Sequence, residues 1–210
     1  ANPGADFRCA KRGVQVVRYR AGKMKGASLA VRAVNEMVLS LVAFARTRRY
    51  MADLRYDCIV FYSPSIFYGP LVAYLRRRWK AKAYLILRDI FPDWAVDTGV
   101  LKKGPVYYLF KVFEHLQYRT ADVIGVETSR SVEYFKTTPY VDKVELLRNW
   151  TSADVPVRCE RSYRKELHFD GKVVFFYGGN IGVAQDMDNI MRLARRMSKH
   201  PDVRFLLVGE

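Results

Sequence analysis

Metal ligands and disulfide partners are scarce in this sequence. Three cysteines stand in 210 residues, at Cys9, Cys58 and Cys159. Their number is odd and no CxxC pair occurs, so neither a zinc site nor a disulfide framework is indicated, and a reducing compartment suits them. Histidine is equally rare, at three. His115 has no spaced partner and reads as structural rather than as a ligand. Long apolar runs are missing too. The most apolar stretch, 37–45, lies between Glu36 and Arg46 and is far too short to span a bilayer. Negative charge is in short supply: 21 Asp and Glu face 36 Lys and Arg, for a formal net charge of +15. Such a surplus favours acidic partners (nucleic acid, anionic lipid, phosphorylated substrates) without choosing among them. The opening residues do not read as a secretory leader, and the alanine that stands first leaves the native beginning open.

What is present is a globular composition, half hydrophobic, with 14 Tyr and 12 Phe. Its length allows one large core or two small ones. The organising stretch is KAYLILRDIFPDW, residues 82–94. Residues 83–87 form an apolar run, the pattern of a parallel strand covered on both faces. Arg88 and Asp89 follow at once, and Pro92 blocks simple continuation of the strand. Two readings stand here. The pair is either a solvated turn with a surface ion pair, or it sits where α/β sheets place their chemistry, at the carboxyl end of a strand.

Taken in order, residues 7–12 read as the last turns of a helix stopped by Gly13. Residues 14–19 then form a strand, and 20–26 a basic loop, either solvated or phosphate-facing. Ser28 caps a helix to about Ala45, with Ala30, Ala33, Val34, Met37, Val38, Leu41 and Ala45 at helical spacing. Arg46, Arg48 and Arg49 suit a helix C-terminus. With Lys23 and Lys25 they could also form a basic rim facing lipid headgroups. Residues 58–62 are a strand, and 66–75 are the apolar part of a helix that ends in the basic run Arg76, Arg77, Arg78, Trp79 and Lys80. That run reads as a wet face, a membrane interface or a nucleotide platform. After a loop at 97–103, Pro105 opens a helix whose buried stripe is Val106, Leu109, Phe110, Phe113 and Leu116. Strands follow at 121–126 and 143–147, with a short helix between them. Repeated βα units of this kind predict an α/β fold with a Rossmann-like parallel sheet.

Composition turns polar over 151–171, a linker with a short helix at 162–167. Beyond it come a strand at 173–177, a glycine turn at 178–184, a helix at 186–198 and a strand at 203–208. This divides the chain into a first domain at 1–150, a linker at 151–171 and the start of a second domain at 172–210. Gly178, Gly179 and Gly182 let backbone amides approach a phosphate at a helix N-terminus. The spacing GGNIG is neither a Walker loop nor the dinucleotide fingerprint, and a plain tight turn is the other reading.

YGGNIGVAQDMDNI and HPDVRFLLVGE resemble the opening of the second domain of group 1 glycosyltransferases (family 4, GT-B fold). LRDIFPDWAVDTGVL resembles a first-domain segment of the bacterial members that build O-antigen and capsule, including the fucosamine-transferase-like branch. ADVIGVETSRSVEYF and VELLRNW stand in the right order between them. The resemblance implies a GT-B enzyme whose N-terminal domain is nearly complete, with its first strand missing, and whose C-terminal domain is truncated. It implies a retaining glycosyltransferase that moves sugar from a nucleotide-diphosphate-sugar donor to a polyprenyl-diphosphate-linked saccharide, with no cofactor and no metal. Carried over, Asp89 is the candidate catalytic residue, with Arg88 beside it lowering its basicity. Arg88, Asp89 and Glu127 line the acceptor-side cleft. Gly178, Gly179, Asn180 and Gly182 form the donor-diphosphate loop, and Asn149 marks the domain crossover.

The expected place is cytoplasmic, peripheral at the inner face of the bacterial cytoplasmic membrane. A piece lacking the rest of the donor domain is expected to be inactive and to self-associate through apolar surface such as Phe175, Phe176, Leu206 and Leu207. Two other classes remain: a basic nucleic-acid-binding α/β module, disfavoured because no such motif occurs, and a non-catalytic sugar-nucleotide-binding or scaffold domain.

Overall fold

The computed structural model describes residues 7–11, 14–20, 22, 29–63, 65–151, 162–182 and 185–209. It separates into two compact units, Ala1–Trp150 and Thr151–Glu210. The first opens with β1 (Phe7–Lys11) and β2 (Val14–Arg18), paired antiparallel with Phe7 opposite Arg18. This corrects the helical reading of residues 7–12. Six residues are too few for periodicity to separate a helix end from a strand. The complementary run at 14–18, next in sequence, supplies the ladder partner.

Two helices follow, α1 (Leu29–Met37) and α2 (Leu39–Met51), in place of the single helix expected to end near Ala45. The break is at Val38, although Val38 N–H still donates to the Val34 carbonyl and Val42 N–H to that of Val38. The expected arginine cluster therefore lies on the helix: Arg48 and Arg49 occupy the last turn of α2. There they face the partial negative charge of its unsatisfied carbonyls.

The parallel sheet consists of β3 (Cys58–Tyr62), β4 (Lys82–Leu87), β5 (Val123–Val126) and β6 (Val144–Leu146), in that spatial order. A 3-10 turn at Ile66–Tyr68, capped by the Ser65 hydroxyl, leads into α3 (Gly69–Trp79). The basic run forms its last turn, as expected. The helix stops only at Lys80, whose φ of 55° is left-handed. After β4 come a cis Phe91–Pro92 bond, the short α4 (Asp93–Asp97) and the long α5 (Pro105–Thr120). α6 (Ser129–Phe135) starts from a Thr128 cap that accepts a hydrogen bond from Ser131 N–H.

One sheet face carries the core. Leu85, Ile124 and Val126 are fully buried, with Ala83, Leu87, Phe135 and Tyr118 packed around them. The other face is only partly covered: Tyr84 and Ile86 are half-buried, and Val60 and Tyr62 of β3 are exposed. The expectation of a central strand sealed on both faces holds for one face alone. Apolar composition reports compatibility with burial, whereas coverage depends on which helices pack where.

The buried side of α5 also differs from the expected stripe. Val106 and Leu109 are exposed, and Tyr107, Phe110, Glu114, Gln117 and Tyr118 face inward. An apolar count misses such a face because it is partly polar. Its polar members are acceptable inside where partners await them, as at Tyr118, whose hydroxyl donates to Glu114.

In the second unit, β7 (Val173–Gly178) and β8 (Val203–Val208) pair in parallel around α7 (Met187–Arg196). Residues 164–168 form a hydrogen-bonded turn rather than the expected short helix.

Candidate functional site

The carboxyl ends of the parallel strands converge on Arg88. Leaving β4, its guanidinium donates from Nη1 to Glu127 Oε1 at the end of β5. Its centre lies 5.2 Å from the Trp150 ring and 6.0 Å from the Tyr62 ring. Such geometry is that of a cation over aromatic faces. The side chain is 15% exposed, and Nε is buried without a hydrogen-bond partner. Arg88 thus ties together the ends of β3, β4 and β5 and Trp150, in the segment that follows β6.

Asp89 has a different environment. It lines a cavity of about 190 Å³ with Glu36, Ser63, Ser65, Phe91 and Trp94 among its walls. Among the described residues no hydrogen bond or ion pair engages its carboxylate. The residue is exposed at the cavity mouth, yet withdrawal of water by the surrounding protein raises its pKa above the usual carboxylate value. The expectation that Arg88 lowers the basicity of Asp89 is corrected. Burial is the cause that acts, and the arginine is committed to Glu127, 39 residues away in sequence. Arg88 and Glu127 are brought together, and Asp89 is set apart from that ion pair.

Asp93, four residues on, is the anchor that sequence reasoning missed. Its Oδ1 accepts from Tyr107 Oη at 2.7 Å, and its Oδ2 accepts from Tyr134 Oη at 2.6 Å and from Lys111 Nζ at 3.2 Å. Burial pushes its pKa up, but the hydrogen bonds from Tyr134 and Tyr107 together with the Lys111 charge outweigh it and hold the carboxyl below its usual value. Lys111 also pairs with the buried Glu114. One carboxylate therefore fastens the segment that follows Asp89 to both α5 and α6. The signal in the sequence was an acidic residue in the first turn after Pro92, too common at helix starts to single out.

In the second unit, Gly178 ends β7, and Gly179, Asn180 and Gly182 follow it toward α7. Gly179 N–H donates to the Val208 carbonyl at 2.9 Å, and Tyr177 Oη donates to the Asn180 carbonyl at 2.6 Å. The loop is thereby held at both ends. Gly209 enforces its position, because a Cβ there would overlap the Gly179 carbonyl. Asn149 is exposed next to Trp150.

The opposite, amino edge of the sheet is basic. A groove of about 570 Å³ between the ends of α3 and α5 is lined by Arg76, Arg77, Lys80, Lys82 and Arg119. Arg76 is paired with Asp122 at 2.5 Å, and Arg78 donates to the Ala52 carbonyl at 2.6 Å. Arg46, Arg48 and Arg49 are exposed on α2. Trp79 turns from this surface and meets Tyr56 edge-on at 5.1 Å, with its Nε1 buried. Lys23 and Lys25, also expected in the rim, lie outside the described residues. Among those described, no group of His, Cys, Asp or Glu could hold a metal ion, and no helix is long and apolar enough to cross a membrane.

Comparison with known proteins places the chain at a distance from two bacterial enzymes. It is 30% identical over 149 residues to the probable glycosyltransferase WbjE of Pseudomonas aeruginosa, an alignment covering 67% of this chain and 36% of that protein. It is 26% identical over 174 residues to WcaI of Escherichia coli K12, provisionally named a colanic acid biosynthesis glycosyl transferase, covering 76% and 42%. The matched regions thus take in about two fifths of each relative's length. No protein-family model matches. The chain is a distant homologue of bacterial glycosyltransferases.

Proposed function

We propose that this protein is a glycosyltransferase of bacterial surface-polysaccharide biosynthesis, with the GT-B arrangement and of the fucosamine-transferase-like branch. It moves a sugar, with retention, from a nucleotide-diphosphate-sugar to a polyprenyl-diphosphate-linked saccharide and uses no metal. The first unit takes the acceptor and the second serves the donor. The reading is carried by the homology to named glycosyltransferases together with an unpaired carboxylate, Asp89, at the carboxyl edge of a parallel sheet, where α/β folds put their ligands. In this role Asp89 orients the acceptor hydroxyl or takes its proton. Its raised pKa makes it a better base than an ordinary surface carboxylate. The loop Gly178, Gly179, Asn180 and Gly182 lies beside the donor diphosphate, with the Gly179 amide itself already committed to the Val208 carbonyl. The basic amino edge rests on anionic lipid at the cytoplasmic face of the inner membrane.

The test is transfer from a panel of nucleotide sugars to a lipid-diphosphate-linked saccharide by the protein expressed from its intact gene. Transfer from one donor is expected. Nucleotide-sugar binding without transfer to any acceptor would replace the enzyme with a binding protein.

A further inference from the structure

More cations gather where α3 and α5 end, at the amino edge of the sheet, than those helix ends use. Arg76 is held by Asp122 at 2.5 Å, and the other oxygen of that carboxylate accepts the Ala83 N–H at 2.8 Å, near the start of β4. Lys143 Nζ donates to the Arg119 and Ala121 carbonyls at 3.2 and 2.7 Å and so closes the end of α5. The N–H groups of Lys80 and Ala81 close α3 on the Arg76 carbonyl. With those groups satisfied, the exposed side chains of Arg77, Lys80, Lys82 and Arg119 have no hydrogen-bond or ion-pair partner among the described residues. All four line one groove of about 570 Å³ together with Arg76, a space equal to the share of roughly 19 waters. Arg77 and Arg76 stand three and four residues before Lys80 on the chain, spacings at which like charges on a helix repel. Lys143, on the adjoining carbonyls, feels the same field. Burial lowers its pKa, Asp122 raises it, and Arg76 and Arg119 press it down again. Like charges collected without partners cost stability until an anion offsets them.

From this surplus we infer that the groove is a discrete site for a doubly charged phosphate, either a phosphate monoester or a diphosphate. The two free guanidinium groups grip pairs of phosphate oxygens, and the two lysines add point charges. A phosphate diester has one charge and two blocked oxygens, so it engages fewer of the four cations. The site lies at the opposite end of the strands from Asp89, since Lys82 opens β4 and Asp89 follows its last residue. It is therefore separate from the cleft assigned to sugar transfer. The phosphate is either free in solution or the headgroup of a lipid. The inference goes beyond the lipid contact proposed above, for which diffuse charge would suffice, and it does not depend on sugar transfer.

Titration calorimetry on the present chain, at physiological ionic strength, tests it with pyrophosphate, methyl phosphate and dimethyl phosphate. The first two are expected to bind at least about tenfold more tightly than the diester, the size of one partly screened charge contact. Arg77→Gln with Arg119→Gln should weaken pyrophosphate by at least about tenfold. Lys102→Gln with Lys103→Gln removes equal charge at the other end of α5, roughly 20 Å away, and should change the affinity less than about twofold. Circular dichroism confirms that each variant is folded. No pyrophosphate binding by the folded chain, equal binding of the diester, or equal losses in the two double variants would overturn the inference. So would pyrophosphate binding that survives Arg77→Gln with Arg119→Gln, which would move it to another part of the chain. Flotation separates the two sources. Preference for phosphatidic acid over phosphatidylglycerol at matched surface charge marks a lipid headgroup, and equal flotation beside retained pyrophosphate binding marks a soluble phosphate. No flotation on any vesicle, with pyrophosphate affinity intact, would sink the lipid contact alone.

Discussion

Tyr134 of α6 donates a 2.6 Å hydrogen bond to Asp93 at the start of α4, which locks the loop behind Asp89 to a helix 41 residues away. Asp93→Asn removes the charge from a site built for it. A loss of about 1–3 kcal/mol is expected, read as a lower urea midpoint. The pH dependence has a sign. The folded pKa of Asp93 lies below its unfolded value, so its contribution is present above the unfolded value and disappears as pH falls through the folded one. Glu114, raised chiefly by burial, works the other way and favours the folded state as it protonates. Wild type should lose stability on acidification more steeply than Asp93→Asn, and parallel curves would contradict the assignment.

Arg88→Ala leaves the Glu127 carboxylate facing a partly closed site without its cation. The expected cost is about 1–3 kcal/mol, and Glu127→Gln in the same background should recover part of it. Trp150 offers a direct readout, because loss of the guanidinium 5.2 Å from its ring should change its fluorescence. Denaturation midpoints additive in the double variant would argue against the pair.

On the proposed glycosyltransferase reading, two substitutions separate chemistry from donor binding in the protein expressed from its intact gene. Asp89→Asn should leave nucleotide affinity intact and lower turnover by roughly 10²–10⁴ if the carboxylate is the base, and by less if it only positions the hydroxyl. Gly209→Ala should do the reverse. Its methyl group displaces the Gly179 carbonyl and with it the loop, raising the donor Kd with little effect on saturated turnover. Calorimetry with the nucleoside diphosphate, run beside the transfer assay, distinguishes them.

Flotation with vesicles tests the basic edge. Binding to anionic but not neutral vesicles is expected at low salt and should fade toward physiological ionic strength and above, where the Debye length shrinks to about 8 Å or less. Arg77→Glu with Lys80→Glu should abolish it, since both side chains are exposed and line one groove. Equal flotation of the double variant would move the contact elsewhere.

Phe176 is 67% exposed and Val173 58% on β7, beside a half-exposed Phe175. Val173 and Phe175 share one face of the strand and Phe176 lies on the other, and open apolar faces of that kind invite pairing with another chain. Light scattering of the purified chain should show a mass that rises with concentration, and Phe176→Lys should suppress the rise.

The amino-acid order by itself determined the α/β class, the strands at β3, β4, β5, β7 and β8, and the place of Arg88 and Asp89 just past a strand. Those features follow from local signals: apolar runs of strand length, prolines that end or start elements, and glycines between a strand and a helix. The tertiary structure alone decided partners. Arg88 and Asp89 are adjacent in sequence, yet one is drawn to Glu127 and the other to a cavity with Ser63 and Trp94. Asp93 became an anchor only when α5 and α6 delivered two tyrosines and a lysine to it. The pairing of residues 7–11 and the polar inner face of α5 were hidden for a related physical reason. A strand or a buried charge is stable only when another group supplies its counterpart, as β2 does for β1 and Lys111 and Tyr118 do for Glu114, and apolar periodicity does not register such pairings.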